Sequence, residues 1–130
     1  MKITADQARA LSKDFHDAAL ALGKYRSDNW NTLKQKEHEQ IDAEQWSLLN
    51  ASSDMTTKAV GLSLDEADAS FEDIQGATAK GLKALKKVNE IKRALSIAGS
   101  LLQLAGAVVA GSPVAVIASI GDLISVVSTD

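Results

Sequence analysis

The sequence predicts an all-α protein, built as an up-down helical bundle or elongated helical hairpin with an apolar helix-turn-helix at its C-terminus. A single proline among 130 residues leaves few interruptions for helices, and alanine and leucine, both strong helix formers, are abundant. Apolar residues also recur at steps of three and four, the spacing of one helix face. Because aromatic residues make up only 4%, the core must consist of Ala, Leu, Val and Ile, which suits closely packed helices.

The first helix is expected over residues 4–26. Thr4 followed by Gln7 forms a capping box, and Ile3 can pack on Ala8 as a hydrophobic staple. The apolar positions then form a stripe of alternating three- and four-residue steps: Ala8, Leu11, Phe15, Ala18, Leu22 and Tyr25. This stripe predicts a helix that packs along its neighbours at a shallow angle.

The polar segment 27–40 predicts either a continuation of the first helix or a short second helix over 28–39. A further helix is expected over 42–60, because Asp42 with Gln45 repeats the capping signature. The sequence alone leaves the choice between continuation and a separate short helix open.

A long helix is expected over 64–110. Gly61 suits the end of the preceding helix, and Ser63 with Glu66 gives a new capping signature. The apolar positions that follow repeat at a mean step of about 3.5 residues, the packing period of a bundle helix. Whether this helix is continuous or interrupted is left open by the sequence.

The last helix is expected over 114–128, after a turn at Gly111-Ser112-Pro113. Glycine suits the residue that follows a helix, serine suits an N-cap, and proline suits the first helical position. A strand is the alternative, because the following residues alternate in the manner of a strand: Val114, Val116, Ala118 and Ile120.

The length fits one domain, 1–130, with an amphipathic helical body over 1–93 and an apolar helical hairpin over 94–130. No charged residue occurs from Ala94 to Gly121. The turn divides this apolar stretch into arms of about 15 to 17 residues, fewer than the about 20 that a spanning helix needs. The hairpin is therefore expected to be either the shielded core of a bundle or a re-entrant or interfacial membrane element.

Cationic residues precede the hairpin, opposed in that window only by Glu90: Lys80, Lys83, Lys86, Lys87, Lys92 and Arg93. A cationic collar next to an apolar hairpin attracts anionic lipid headgroups. In layout alone, with no shared motif, an apolar hairpin on a helical stalk resembles the general architecture of α-helical pore-forming and membrane-permeabilising proteins. In a soluble bundle, the same lysines form an ordinary solvated face.

We expect a non-enzymatic interaction protein that self-associates or binds a helical partner through apolar helix faces. The alternative is a membrane-active protein that uses the hairpin 94–128 for peripheral binding, insertion or pore formation. A carrier of a small apolar ligand between bundle helices is a third hypothesis, against which the few aromatic residues argue. The candidate membrane or partner surface comprises Lys80, Lys83, Lys86, Lys87, Lys92, Arg93, Leu95, Leu102, Val109, Val116, Ile120 and Ile124.

The expected partners are a second copy of the chain, a helical protein or an anionic membrane. The net charge of −3 gives no general attraction to nucleic acid, so none is expected. The N-terminal residues 1–7 are polar and lack the apolar core of a signal peptide, which predicts a cytoplasmic protein, with membrane association left open.

No catalytic, cofactor or metal site is expected. The chain has no cysteine, and the acids beside His16 and His38 point away from them on a helix, so both histidines are interpreted as surface residues. The segment Gly76 to Gly81 has the glycine spacing of a phosphate loop, but Leu82 stands where lysine is required. The Gly-x-Ser-x-Gly motif of serine hydrolases is missing.

Overall fold

A computed structural model describes residues 2–58, 61–65 and 69–128. Within these ranges the chain folds into five helices and no strand, which confirms the predicted all-α helical bundle. The helices are α1 (Ala5–Asp28), α2 (Gln35–Thr57), α3 (Phe71–Lys86), α4 (Ile91–Ala110) and α5 (Pro113–Ser128).

The helix α4 lies at the centre and packs against each of the other four helices. Its buried residues are mostly aliphatic and alanine: Ala94, Ile97, Ala98, Leu101, Leu104, Ala105, Ala107 and Val108. The packed sides of α4 have little contact with water, and a charged side chain there would lose its hydration without compensation. The packing of α4 therefore accounts for the lack of charge on its buried sides, while Ser96, Gln103, Gly106 and Ala110 on its remaining side are exposed and uncharged.

The start of α1 forms as the sequence predicts. The Thr4 hydroxyl accepts a hydrogen bond from the Gln7 N–H at 3.1 Å, and the Gln7 side chain accepts one from the Thr4 N–H at 2.9 Å. Both Ile3 and Ala8 are buried, as is every residue of the predicted stripe from Ala8 to Tyr25. The Ile3 N–H also donates to the Leu62 carbonyl at 3.0 Å, which ties the N-terminus to the connection between α2 and α3.

Two small polar residues join α1 and α2 inside the core. The Ser12 hydroxyl donates to the Ser52 carbonyl at 2.7 Å, and the Ser52 hydroxyl donates to the Ser12 carbonyl at 2.8 Å. Because both hydroxyls are satisfied, they cost little to bury, and their small size allows the two backbones to approach closely.

The predicted helix over 28–39 is wrong, and so is the predicted helix start at Asp42. The chain turns after α1, and α2 begins at Gln35, where the Glu37 carboxylate accepts a hydrogen bond from the Lys34 N–H at 2.8 Å. Asp42 then lies inside a continuous helix, where backbone N–H groups already bond to carbonyls four residues earlier and need no cap. The predicted helix end at 60 is wrong as well: α2 ends at Thr57, because the backbone of Lys58 is extended and cannot continue the helix. Positions 59 and 60 lie outside the described residues.

The predicted helix over 64–110 is two helices, α3 and α4, separated at residues 87–90. The first turn of α3 follows Ser70. The Ser70 hydroxyl accepts a hydrogen bond from the Asp73 N–H at 3.1 Å, and the Asp73 carboxylate accepts one from the Ser70 N–H at 2.9 Å. The predicted Ser63–Glu66 cap involves Glu66, which lies outside the described residues. The break lets α3 fold back on α4, so that the apolar stripes of both helices are buried in one core instead of lying along an exposed rod.

The turn before α5 agrees with its sequence. Gly111 has a φ of +68°, a left-handed conformation that favours glycine. The Ser112 hydroxyl accepts a hydrogen bond from the Ala115 N–H at 3.3 Å, and Pro113 occupies the first position of α5. The helix prediction for this segment is confirmed and the strand alternative is wrong, because the turn supplies a complete helix start.

The glycines of α3 have opposite surroundings. At Gly81, a Cβ atom would lie 2.8 Å from Leu101 Cδ2 and 3.1 Å from Leu123 Cδ1, so α3 lies close to both α4 and α5 there. At Gly76, a Cβ atom would meet nothing within 4 Å. Substituting each glycine by alanine therefore distinguishes the destabilisation caused by crowding the core from the stabilisation gained by replacing glycine in a helix.

We predict that Gly81→Ala lowers the free energy of unfolding by about 1–2 kcal/mol, because overpacking at the junction of three helices outweighs the gain in helix propensity. Gly76→Ala should raise it by about 0.5–1 kcal/mol, because alanine is the better helix former and has open space there. Urea unfolding followed by circular dichroism measures both. Equal effects of the two substitutions would contradict the close approach at Gly81.

Candidate interaction surface

The outer side of α5 is exposed and almost free of charge. Its inner side is buried through Val116, Ser119 and Leu123. The residues on the opposite side, which we call the α5 face, are Val114, Ile117, Ala118, Gly121, Ile124, Ser125 and Ser128. Val114 is 79% exposed, Ile117 48% and Ile124 40%. Asp122, about 100° around the helix from Gly121, lies at the edge of this face.

A groove of about 330 Å³ borders the α5 face on the side of α3. The wall formed by α5 consists of Ile117, Ile120 and Ile124. The wall formed by α3 consists of Ala77, Gly76 and the longer side chains of Glu72, Asp73 and Lys80. Because Gly76 has no side chain, the middle of the groove is open. We call this feature the α3–α5 groove.

Charge along α3 changes sign from one end of the groove to the other. Glu72 and Asp73 lie in the first turn of α3, next to the N-terminal half of α5. Lys83 and Lys87 lie near the other end, in a second cleft of about 540 Å³ that reaches Val127. The two helices are therefore parallel neighbours, and the α5 face has an acidic flank at its start and a basic flank at its end. Both clusters also suit the dipole of α3.

Arg93 fastens the end of α5 to the start of α4. Its guanidinium group donates to the Val126 carbonyl at 3.3 Å and to the Val127 carbonyl at 3.1 Å. These are carbonyls of the last helical turn, which lack partners within the helix and carry its negative partial charge. Arg93 therefore closes the α4–α5 hairpin at the end opposite its turn.

The structure divides the candidate residues into several locations. Lys80 and Lys83 of α3, and Lys87 directly after it, lie on the α5 side, whereas Lys86 is exposed on the side of α1. On α4, Lys92 is exposed, Arg93 is half-buried, and Leu95, Leu102 and Val109 are half-buried against the core. On α5, Val116 is fully buried, Ile120 is half-buried and Ile124 is exposed.

The structure thus brings together Lys80, Ile120 and Ile124 in the α3–α5 groove. Sequence reasoning missed Val114, Ile117 and Gly121 as surface residues. A helical wheel of α5 would have grouped them on one side, because they lie at steps of three and four. Since both sides of α5 are apolar, the wheel alone does not tell which side faces water.

A separate groove, of about 590 Å³, lies on the other side of α3, between α1 and α3. Its apolar lining includes Leu20, which is 55% exposed, together with Tyr25 and Leu85. Charged residues border it, and among them Lys24 Nζ lies 2.6 Å from Asp28 Oδ2. The groove is open to solvent, and apart from Tyr25 its polar lining residues are exposed or half-buried, so it offers little to orient a small ligand.

His38 is buried, so its interpretation as a surface residue is wrong. Arg26 Nε donates to His38 Nδ1 at 3.1 Å, and His38 Nε2 donates to the Trp30 carbonyl at 3.1 Å. The Arg26 guanidinium also lies 5.2 Å from the centre of the Trp30 ring, a cation–π contact. This cluster fixes the corner between α1 and α2. Among the described residues, no group of three His, Cys, Asp or Glu side chains is gathered in a way that could hold a metal ion.

Glu44 is an acid of α2 that is partly buried against α4. Its Oε1 atom lies 3.8 Å from the position that a Cβ atom would take at Gly99 of α4, an ordinary contact distance. Its Oε2 atom is buried and has no hydrogen-bond partner in the described part of the chain. Burial raises the pKa of Glu44 to about 7, because the charged form loses hydration.

One described helix, α4, is long and apolar enough to cross a membrane, with a mean hydropathy of 1.5 over an 18-residue window. Half of that window is buried in the bundle, and the central helix of a soluble protein has the same length and composition. Comparisons with family models, with curated proteins and with solved structures give no match to this chain. Inferences about function therefore depend on the geometry of the chain itself.

We predict that Glu44→Gln reduces the loss of stability with rising pH. Since the folded pKa lies above the ordinary value of 4.5, folding favours the protonated acid, and stability is lost as the pH rises through the folded pKa. The substitution should remove about 1 kcal/mol of the decrease in unfolding free energy between about pH 5 and about pH 8, since solvent screens part of the effect at a half-exposed site.

Urea unfolding across this pH range provides the measurement. Asp14, whose pKa is also raised by burial and by Asp17, remains in both proteins, so the difference between them isolates Glu44. The matched control is Glu39→Gln, at an exposed position of the same helix. If both variants show the same pH dependence as the unmodified chain, the buried location of Glu44 is wrong.

Proposed function

We propose that this chain is a non-enzymatic interaction protein that binds a helical protein surface through the α5 face. The observation that supports this function is an exposed, uncharged row of side chains on a helix whose other side is packed in the core. Contiguous apolar surface in water is costly, and soluble proteins that keep it use it for binding. The proposed contact removes this surface from water.

The surface shape of the α5 face suits a helix as its partner. Ala118, Gly121 and Ser125 form a shallow central line of small residues, and Ile117 and Ile124 stand beside it. Small residues allow helix axes to approach to about 8 Å, and larger neighbours then fill the grooves of the opposing helix. The α3–α5 groove supplies a place for side chains from that partner.

The chemistry of the same region favours packing over catalysis. The α5 face offers aliphatic side chains and serine hydroxyls, and neither histidine of the chain lies on α3 or α5. Asp73 is engaged by the N–H of Ser70 at the start of α3. A serine hydroxyl is a weak nucleophile unless a general base activates it, and histidine is the usual base, so the composition of this surface argues against a catalytic pair.

Membrane binding is the second candidate, favoured by the position of Lys80, Lys83 and Lys87 beside the end of α5. Peripheral binding would use the α5 face and these lysines without rearrangement. Insertion of the whole hairpin would require α4 to separate from α1, α2 and α3, and would expose the aliphatic side chains that α4 now buries.

The test of the proposed function is photo-crosslinking from the α5 face in living source cells. A benzophenone amino acid at Val114, the most exposed apolar position of this face, should form discrete protein adducts. The matched control is the same group at Ala43, which is exposed on α2, a helix that contacts neither α3 nor α5. Adducts from Val114 and none from Ala43 support the proposal.

The membrane candidate is tested by flotation of the purified chain with anionic and neutral vesicles. Salt-sensitive binding to anionic vesicles that is lost in the Lys80→Ala/Lys83→Ala/Lys87→Ala variant, without protein adducts from Val114, would replace the protein partner by a lipid surface. Lys86→Ala is the control, because Lys86 lies on the other side of α3. Without flotation, the membrane candidate fails.

A further inference from the structure

We infer that the occupant of the α5 face is a second copy of this chain, in a two-fold dimer whose two α5 helices pack antiparallel. This inference depends on the proposed function, since it requires the α5 face to be a protein-binding surface. Three observations favour this occupant: the match of large to small residues about Gly121, the reversal of charge along α3, and the acids that border the face.

The α5 face is complementary to itself about Gly121. Ala118 lies three residues before this glycine and Ile124 three after it, while Ile117 lies four before and Ser125 four after. An antiparallel two-fold axis beside Gly121 sets Ala118 of one copy opposite Ile124 of the other, and Ile117 opposite Ser125, so that each large residue meets a small one. A Cβ atom at Gly121 would meet nothing within 4 Å, so the two backbones can meet closely at the axis without obstruction.

The charges of α3 become complementary under the same axis. The α3 helix is parallel to α5 and lies on one side of it. A two-fold axis that is perpendicular to the α5 helices and lies in the plane of the interface therefore places both α3 helices on the same side of the α5 pair, running in opposite directions. Glu72 and Asp73 of one copy then face Lys83 and Lys80 of the other, and each pairing occurs twice. Ala77 marks the middle of this arrangement.

The acids distinguish a second copy from an anionic membrane. A bilayer laid on the α5 face would meet Glu72, Asp73 and Asp122 together with the lysines, and negative headgroups repel these carboxylates. A two-fold axis parallel to the helices would place the α3 helices on opposite sides and leave their charges unpaired. The antiparallel copy pairs both ends of α3 at once.

The test begins with sedimentation equilibrium of the full purified chain at low salt, where we expect a dimer. Gly121→Glu places two carboxylates next to each other at the axis and should weaken dimerisation at least about tenfold. In the monomer this side chain points into open space and replaces a poor helix former, so circular dichroism should show an intact bundle. Ala43→Glu makes the same change of charge on α2 and should leave the dimer unchanged.

Charge exchange tests the antiparallel arrangement. Glu72→Lys and Lys83→Glu, each alone, should weaken dimerisation by about threefold to tenfold, because like charges then meet across the axis. An equimolar mixture of the two variants should recover the affinity of the unmodified chain, because the heterodimer contains two opposite-charge pairs. Added salt should reduce these differences.

A chain that stays monomeric up to about 1 mM overturns the inference. So does a dimer that Gly121→Glu leaves intact, or a pair of charge variants whose mixture binds no better than each alone. If the chain is monomeric but Val114 still crosslinks to a different protein, the dimer is wrong and the proposed function stands. If Val114 gives no protein adduct, both fail.

Discussion

The packing of α4 against all four other helices is the constraint on which the rest of the bundle depends. A helix in that position must be apolar on the sides that its neighbours cover, and the amphipathic stripes of α1, α2 and α3 pack against those sides. Because these helices and α4 fill the interior, only one side of α5 can be covered. The exposed apolar surface of the protein therefore results from the number of helices around one centre.

Helices whose starts carry all the residues of a capping motif or a turn could be predicted from the sequence. Thr4 with Gln7, followed by the stripe to Tyr25, defined α1, and the turn before Pro113 defined the start of α5. The division between α3 and α4 had no comparable signal, because the same apolar period runs through both helices, and the break depends on α3 folding back on α4. Conversely, Asp42 with Gln45 has the chemistry of a helix start but lies within α2. Whether such a pair starts a helix or lies inside one can be decided only when the position of the preceding turn is known.

The candidate surface was predictable only in part, for a related reason. The sequence identified an uncharged hairpin and the lysines before it, but not which sides the neighbouring helices cover. Val116 and Ile117 are adjacent and chemically alike, yet one is fully buried and the other is about half exposed. Likewise, Lys86 and Lys87 lie on different sides of α3. These distinctions arise from tertiary packing, which a single sequence does not encode in its local pattern.

The bonds from Arg93 to the last carbonyls of α5 have a consequence for how the bundle opens. The hairpin of α4 and α5 is closed by the chain at Gly111–Pro113 and by this guanidinium at its other end. Fraying of α5 from its C-terminus must first break contacts with the opening turn of α4, so the two helices are coupled as one cooperative unit. These bonds therefore oppose early exchange of the amide hydrogens in the last turns of α5, which a terminal helix without such an anchor would show.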